Sequence, residues 1–208
     1  MARITGAVCR LCRREGIKLF LKGARCESAK CAVTRKNYPP GQHGNKGLFG
    51  QKTEYSRQLR EKQKAKRIFG VSERQFRKYY QLATNMTGAS GTNLLRILEL
   101  RLDNVLYRSG IADSHAQARQ FIGHGLIKVN GRKVKTPSIM VKPTTKIEPV
   151  DRAVKKDLFK KLENKKDTSP RWLKVDFKKP AVEVLSLPEE QELDKSIKSQ
   201  LIVELYSK

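Results

Sequence analysis

Cysteine is scarce in this chain and confined to one place. Four cysteines occur in 208 residues, all of them between residues 9 and 31. A chain of this length can bury a core without covalent help, so the sequence does not predict a disulfide framework. The N-terminus has no apolar run of secretory type, and no stretch is long and apolar enough to span a bilayer. We therefore expect a cytoplasmic protein that is not associated with a membrane.

The usual motifs of enzymes are also missing. No glycine-rich stretch matches a phosphate-binding or dinucleotide-binding loop. Glu99 and Asp103 are four residues apart on a basic helix, where salt bridges, for example to Arg96, explain them better than acid–base catalysis. The three histidines lie in unrelated local settings: His43, His115 and His124. We expect neither an enzyme nor a small-molecule substrate.

The spacing of the four cysteines favours a metal site. They follow the pattern Cys9-x2-Cys12-x13-Cys26-x4-Cys31. In a reducing cytosol, clustered cysteines are more often metal ligands or catalytic thiols than structural disulfides. Two pairs separated in this way are typical of a tetrahedral structural zinc site. A redox pair and four unpaired surface thiols are the alternatives, and zinc is favoured over both.

Acidic residues are too few to balance the basic ones. The chain has 45 Lys and Arg against 20 Asp and Glu, a formal net charge of +25. Residues 1–90 carry 21 basic and five acidic side chains, whereas residues 151–208 carry 14 and 11. So large an excess calls for a polyanion as partner, and nucleic acid is the obvious one. Arginine is abundant, and its planar guanidinium can hold a phosphate through two hydrogen bonds.

Hydrophobic periodicity predicts helices in the first half. One helix begins at Glu54 and ends at Gly70. A second, capped by Ser72, buries a mainly aromatic face composed of Phe76, Tyr79, Tyr80 and Ala83. After a flexible boundary at residues 87–92, leucines at helical spacing predict a single helix that starts near Leu94 and is ended by Gly110.

The second half predicts a mixture of helices and strands. Ser114 caps a helix with its apolar face on Ala118, Phe121 and Ile122, and its polar face on Ala116, Arg119 and Gln120. Asn130-Gly131 lies between two alternating segments of residues 126–134, a strong indication of a hairpin. Residues 150–164 are expected to be helical, residues 173–177 and 182–187 to be paired strands, and residues 188–194 to be an acidic loop.

Four separated motifs resemble one protein family. They are CRLCRREGIKLFLKG with the later Cys26 and Cys31, YPPGQHG, NLLRILELRLDNVLYRSGIADSHAQARQFIGHGLIKVNGRKV, and QLIVELYSK. In this order they resemble the small-subunit ribosomal protein S-four family of bacteria in its zinc-binding form. The resemblance covers the whole chain, and the block at about residues 99–160 is similar to the RNA-binding module that carries the family's name.

The resemblance implies a fold of class α+β. A mainly helical, zinc-containing N-terminal domain spans residues 1–94, and the C-terminal segment 197–208 packs back on it. Residues 95–196 form a second domain, in which helices and a short antiparallel sheet build the RNA-binding module. One structural zinc ion would be held by Cys9, Cys12, Cys26 and Cys31.

The resemblance also implies a function. Members bind the 5′ domain of 16S ribosomal RNA at a junction of helices, nucleate assembly of the body of the small subunit, and contribute to the accuracy of decoding. Their protein partners are ribosomal protein S-five and other small-subunit proteins. We place the RNA-binding residues at Arg3, Arg10, Arg13, Arg14, Lys22, Arg35, Lys36, Tyr38, Gln42, His43, Arg57, Arg60, Arg101, Asn104, Arg119, Gln120, His124 and Lys128.

Two rival hypotheses belong to other functional classes. An RNA-modifying enzyme can carry the same module, but the residues that follow it here are too few for a catalytic domain. A DNA-binding zinc protein would have a recognition helix beside the cysteines, and the loop-rich sequence there predicts none. The structural ribosomal protein is therefore the favoured interpretation.

Overall fold

The structure divides into two compact units. It is a computed structural model that describes residues 6–45, 53–154, 159, 162, 169–177 and 179–207. The first unit comprises Met1–Leu95 and Asp194–Lys208, and the second comprises Arg96–Leu193. A helical unit and a unit containing an antiparallel sheet together make the mixed α and β fold that the sequence predicts.

Three short helices begin the first unit. They are α1 (Val8–Glu15), α2 (Ala24–Glu27) and α3 (Ala32–Arg35). Helix α1 ends at Gly16, whose φ of 74° lets its N–H reach the carbonyl of Cys12 at 2.9 Å. A small core of Cys12, Leu19, Cys31 and Val33 holds this region together.

Two longer helices follow and confirm the predicted capping. Helix α4 spans Glu54–Ile68 and α5 spans Glu73–Thr84, with Gly70 at a φ of 57° between them. The side chain of Ser72 accepts a hydrogen bond from the backbone N–H of Gln75, as its position predicts. The predicted aromatic face of α5 is buried except for Tyr80, which is only half-buried.

The C-terminal helix packs on α4 within the same unit. This helix, α10, spans Ser199–Ser207 and buries Ile202 completely. Its Glu204 accepts a hydrogen bond from Gln58 at 3.1 Å, and the ring of Tyr206 stacks on that of Tyr80 with centroids 4.4 Å apart. The apolar C-terminal residues thus have a surface to cover.

The single helix predicted from Leu94 to Gly110 is wrong, because the structure has two helices there. Helix α6 spans Ser90–Glu99 and α7 spans Leu102–Arg108. Between them the backbone is extended and pairs with residues 139–141, including a bridge between Arg101 and Met140. Hydrogen bonds to a distant segment therefore override the local helical periodicity.

The next helix and hairpin are as predicted. Helix α8 spans His115–Gly123, is capped by the side chain of Ser114, and buries Ala118, Phe121 and Ile122. Strands β1 (Ile127–Val129) and β2 (Arg132–Val134) pair antiparallel. The turn between them places Asn130 at a φ of 47° and Gly131 at 77°, as a tight hairpin turn requires.

A five-stranded antiparallel sheet completes the second unit. Strands β3 (Lys146–Pro149), β4 (Leu173–Asp176) and β5 (Ala181–Val184) join the hairpin in the order β2-β1-β3-β5-β4. The predicted late pair of strands is confirmed, with Val175 opposite Val182. Helices α7 and α8 and the sheet share one core that contains Trp172, Phe121 and Ile147.

The segments between these strands match their predictions only in part. Helix α9 covers Asp151–Val154, while most of the predicted helical stretch to residue 164 lies outside the described residues. The acidic stretch contains one 3-10 turn at Glu190–Glu192. In the described ranges no helix has the length and apolarity needed to cross a membrane.

Candidate nucleic-acid interface

The four cysteines lie on or beside the three short helices of the first unit. Cys9 and Cys12 lie on α1, Cys26 on α2, and Cys31 immediately before α3. All four are free thiols, and only Cys9 is more than slightly exposed. The backbone N–H of Lys22 donates a hydrogen bond to the sulfur of Cys26 at 3.4 Å.

These thiols are close enough to affect one another electrostatically. Burial raises the pKa of Cys12, and the other three cysteines raise it further because their thiolates would repel its own. Burial also raises the pKa of Cys31, but hydrogen bonds from the backbone of Thr34 and Val33 outweigh it and lower that pKa overall. Among the described residues, however, no three His, Cys, Asp or Glu side chains are arranged so that they could hold a metal ion. The geometry therefore does not support the assembled zinc site expected from the spacing.

Arg13 shapes the loop that follows α3. Its Nε donates to the carbonyl oxygens of Lys36 at 3.2 Å and Tyr38 at 3.0 Å, and its guanidinium lies 4.6 Å from the centroid of the Tyr38 ring. A side chain at Gly44 would collide with the carbonyl of Pro39. The loop is thus held in one shape from inside, and part of the hydrogen-bonding capacity of Arg13 is used within the protein.

Most of the other candidates between residues 1 and 45 are exposed. Tyr38 is half-buried and Arg3 lies outside the described residues. The exposed candidates are Arg10, Arg14, Lys22, Arg35, Lys36, Gln42 and His43. These side chains carry a positive charge, an amide or an imidazole, and all of them can donate hydrogen bonds to the phosphates of a nucleic acid.

Glu15 binds two arginines of α4. Its carboxylate is buried and pairs with Arg60 at 3.4 Å and with Arg67. Burial raises the pKa of Glu15 above its usual range, and the charges of Arg67 and then Arg60 offset this rise only in part. Arg60, a predicted RNA contact, keeps 30% of its side-chain surface exposed beside this pair. Arg57 is fully at the surface and only loosely paired with Glu54, at 3.6 Å.

Glu73 forms a second such bridge. Its two oxygens accept hydrogen bonds from Lys62 at 2.9 Å and Lys66 at 2.6 Å, and Tyr206 donates to it at 3.0 Å. Burial alone would raise the pKa of Glu73, but the hydrogen bonds from Lys66 and Lys62 outweigh it and lower the pKa to about 2. The bridge ties α4, α5 and α10 together.

Asp103 is the centre of a buried polar network in the second unit. Its carboxylate accepts two hydrogen bonds from Arg101, at 3.1 and 3.0 Å, and one from the Nε of Arg119 at 2.7 Å. Arg101 and Asn104 are only 3% and 2% exposed. The prediction that these two side chains contact RNA is therefore at odds with the structure, where they stabilise the interior.

Glu99, Asn104 and His115 extend this network. The amide nitrogen of Asn104 donates to the Glu99 carboxylate at 2.6 Å, so its oxygen is the acceptor for the Nε2 of His115 at 2.8 Å. This geometry requires a proton on Nε2 of His115. Arg108 pairs with Glu99 at 3.1 Å. Sequence separation explains why these partners were missed, since no local periodicity connects Asp103 to Arg119.

Four candidates remain on the surface of the second unit. Arg119 keeps 20% of its side chain exposed while bound to Asp103, and Gln120 and His124 are exposed on and after α8. Lys128 is half-buried and pairs with Asp151 at 2.9 Å. The structure thus brings Arg119, Gln120 and His124 to one helix and its C-terminal end.

The buried state of His115 predicts a pH effect on stability. Burial lowers its pKa from 6.5 to about 4; Asp103 opposes this shift and nearby arginines add to it. His115 binds a proton below about pH 6.5 in the unfolded chain, but only below about pH 4 in the folded chain. The free energy of unfolding should therefore fall as the pH is lowered through this window, by up to about 1.4 kcal/mol per pH unit.

The measurement is urea unfolding of the wild type and of His115→Gln between pH 7 and pH 4. Glutamine can still donate to Asn104 but does not titrate. We expect the difference between the two proteins to shrink or reverse in favour of the variant as the pH falls. Curves that stay parallel across the window would show that His115 titrates normally in the folded state.

The sequence is similar to known proteins along its whole length. A family model described as ribosomal protein S4/S9 N-terminal domain matches residues 3–99, and an S4 domain model matches residues 100–147. Small ribosomal subunit protein uS4A of Alkaliphilus metalliredigens is 52% identical over 209 residues, covering 100% of both chains. The uS4A protein of Alkaliphilus oremlandii is 51% identical and uS4 of Halothermothrix orenii 50% identical, each again over 100% of both chains. The chain therefore belongs to the uS4 family of small ribosomal subunit proteins.

Proposed function

We propose that this chain is a structural protein of the small ribosomal subunit that binds ribosomal RNA in the cytoplasm. The observation that carries the proposal is identity of 52% along the full length of a protein named for that subunit. The net charge of +25 and the exposed cations between residues 10 and 36 supply the chemistry that RNA binding needs. The chain acts by binding and not by catalysis.

The RNA target is proposed to be the 5′ domain of 16S ribosomal RNA, at a junction of helices. A-form helices hide their base edges in a deep, narrow groove, so such a junction is recognised through phosphates, 2′-hydroxyls and unpaired positions. The exposed arginines and lysines of α1 to α4 suit this mode, as do Arg119, Gln120 and His124. Binding early to this junction would nucleate the body of the subunit.

The protein partners are proposed from the same family resemblance. Ribosomal protein S-five and other small-subunit proteins would contact the chain in the assembled particle, with an effect on decoding accuracy. The rival hypothesis of an RNA-modifying enzyme is not favoured, because the relatives that match the whole chain are named as ribosomal proteins.

The test is a binding titration with transcripts of two domains of 16S RNA. The protein should bind the 5′ domain more tightly than an equally long fragment of the 3′ domain, by a factor on the order of 100. Arg119→Ala should lower the slope of log K against log salt by about 1, because one phosphate contact is lost. The matched control is Arg171→Ala, an exposed arginine in the same unit.

Equal affinity for the two transcripts would overturn the proposed target. A slope unchanged by Arg119→Ala would remove only Arg119 from the interface. Circular dichroism of the variant separates both results from unfolding, since Asp103 keeps Arg101 as a partner when Arg119 is removed.

Zinc is proposed as a structural ion held by Cys9, Cys12, Cys26 and Cys31. The donor chemistry fits, since zinc is commonly held by four thiolates. The electrostatic influence of the other three cysteines on Cys12 also supports it, because a divalent cation would offset the mutual repulsion of the thiolates. Bound zinc would supply a crosslink between α1, α2 and the start of α3.

Metal analysis tests this proposal directly. Protein purified under reducing conditions should contain about one zinc ion per chain. Cys26→Ser should lose most of that metal, whereas the neighbouring exposed Lys30→Ala should keep it. Cobalt substitution should give a thiolate-to-metal absorption band in the control and a weaker band in Cys26→Ser. Reduced wild-type protein without stoichiometric metal would rule the site out.

A further inference from the structure

A groove of about 560 Å³ opens on the surface of the second unit. It is lined by α8, the loop after it, β2 and the residues around α9. Its volume lies within the range of about 300–1,000 Å³ of pockets that hold small organic ligands. The lining residues used below are Gln120, Phe121, His124, Leu126, Lys133 and Arg152.

Part of the groove is apolar. Phe121 is only 4% exposed and packs against Phe159, with ring centroids 5.1 Å apart, so its position is fixed by the core. Ala153 is fully buried and Leu126 is half-buried. Because Phe121 and Ala153 are already buried, the apolar area that a planar group could remove from water here is mainly that of Leu126.

The remaining lining residues bring cations and hydrogen-bonding groups. Lys133 and Arg152 are exposed, and within the described part of the chain neither forms an ion pair. The nearby carboxylate of Asp151 is paired with Lys128. Gln120 and His124, both exposed, add amide and imidazole groups. A ligand for this groove should therefore combine a negative charge with polar edges.

Gly125 limits where the Lys133 side chain can go. Its φ of 64° is left-handed, and a Cβ built on it would lie 2.5 Å from the Cε of Lys133 and 3.4 Å from its Nζ. The lysine stem thus rests directly on the backbone of the loop after α8. This contact holds the ammonium of Lys133 beside the groove, where it can bind an anion.

We propose that this groove binds one unpaired nucleotide of RNA. The base covers Leu126 above the buried ring of Phe121, its edge meets Gln120 and His124, and a flanking phosphate lies near Lys133 and Arg152. A base in a duplex cannot present its face to such a groove, whereas a base in a loop or bulge can. The inference rests on the proposed function and adds to it a site that takes single-stranded RNA.

The experiment uses the full chain and short RNAs of two kinds. Single-stranded hexamers of uridine and of adenosine are compared with a twelve-base-pair RNA duplex, by NMR titration and fluorescence anisotropy. We expect the hexamers to shift the amide resonances of Gln120, His124 and Gly125, and the duplex to leave them in place. An acidic peptide of equal charge should not reproduce the pattern.

Three variants locate the binding. Gln120→Trp fills the groove without changing charge, and the double variant Lys133→Gln, Arg152→Gln removes the two cations. Each should weaken hexamer binding roughly tenfold. The control, Lys135→Gln, changes the charge of an exposed lysine just beyond β2 that does not line the groove, and it should change affinity by less than about twofold.

The outcomes separate the two proposals. If the wild type binds the 5′ domain transcript but the hexamers shift other resonances, or the groove variants bind hexamers normally, the groove inference is overturned and the proposed function stands. If the wild type shows no preference for the 5′ domain, the proposed RNA target fails, whatever the hexamers do. The double variant removes only exposed side chains, so it remains informative even if Gln120→Trp does not fold.

Discussion

Excess positive charge is the constraint on which the rest of this structure depends. With more than twice as many basic as acidic residues, packing helices against one another brings like charges together. Among the described residues this repulsion is offset at three places, where one carboxylate bridges two cations. Glu15 does so between Arg60 and Arg67, Glu73 between Lys62 and Lys66, and Asp103 between Arg101 and Arg119. Scarce acidic residues thus join neighbouring basic ones.

This arrangement divides the arginines into two classes. Arg101 is buried with Asp103, and the two charges neutralise each other in the interior. Arg119 pairs with the same carboxylate but keeps part of its side chain at the surface. A guanidinium oriented in advance loses less freedom when it meets a phosphate. Lys133 beside the groove has no such partner among the described residues, and packing of its side-chain stem on Gly125 sets its position.

Features set by neighbours in sequence were predictable, and those set by distant contacts were not. The caps at Ser72 and Ser114 and the Asn130-Gly131 turn depend on hydrogen bonds and dihedral angles within a few residues. The break between α6 and α7 depends on pairing with residues 139–141, almost 40 positions away. The burial of Arg101 was missed for the same reason, because the local sequence does not show that Arg101 pairs with Met140 or that its neighbour Asp103 also binds Arg119.

Each unit thus folds against its own surplus of positive charge, which a bound polyanion would relieve. The most direct test is the free energy of unfolding of the RNA-free protein, measured in urea from about 0.05 to about 0.3 M NaCl. Salt screens the widespread repulsion among exposed cations, while the buried bridges at Glu15 and Asp103 are screened less. The free energy of unfolding should therefore rise with salt over this range. A steady fall would show that attractive ion pairs outweigh the repulsion and would contradict this expectation.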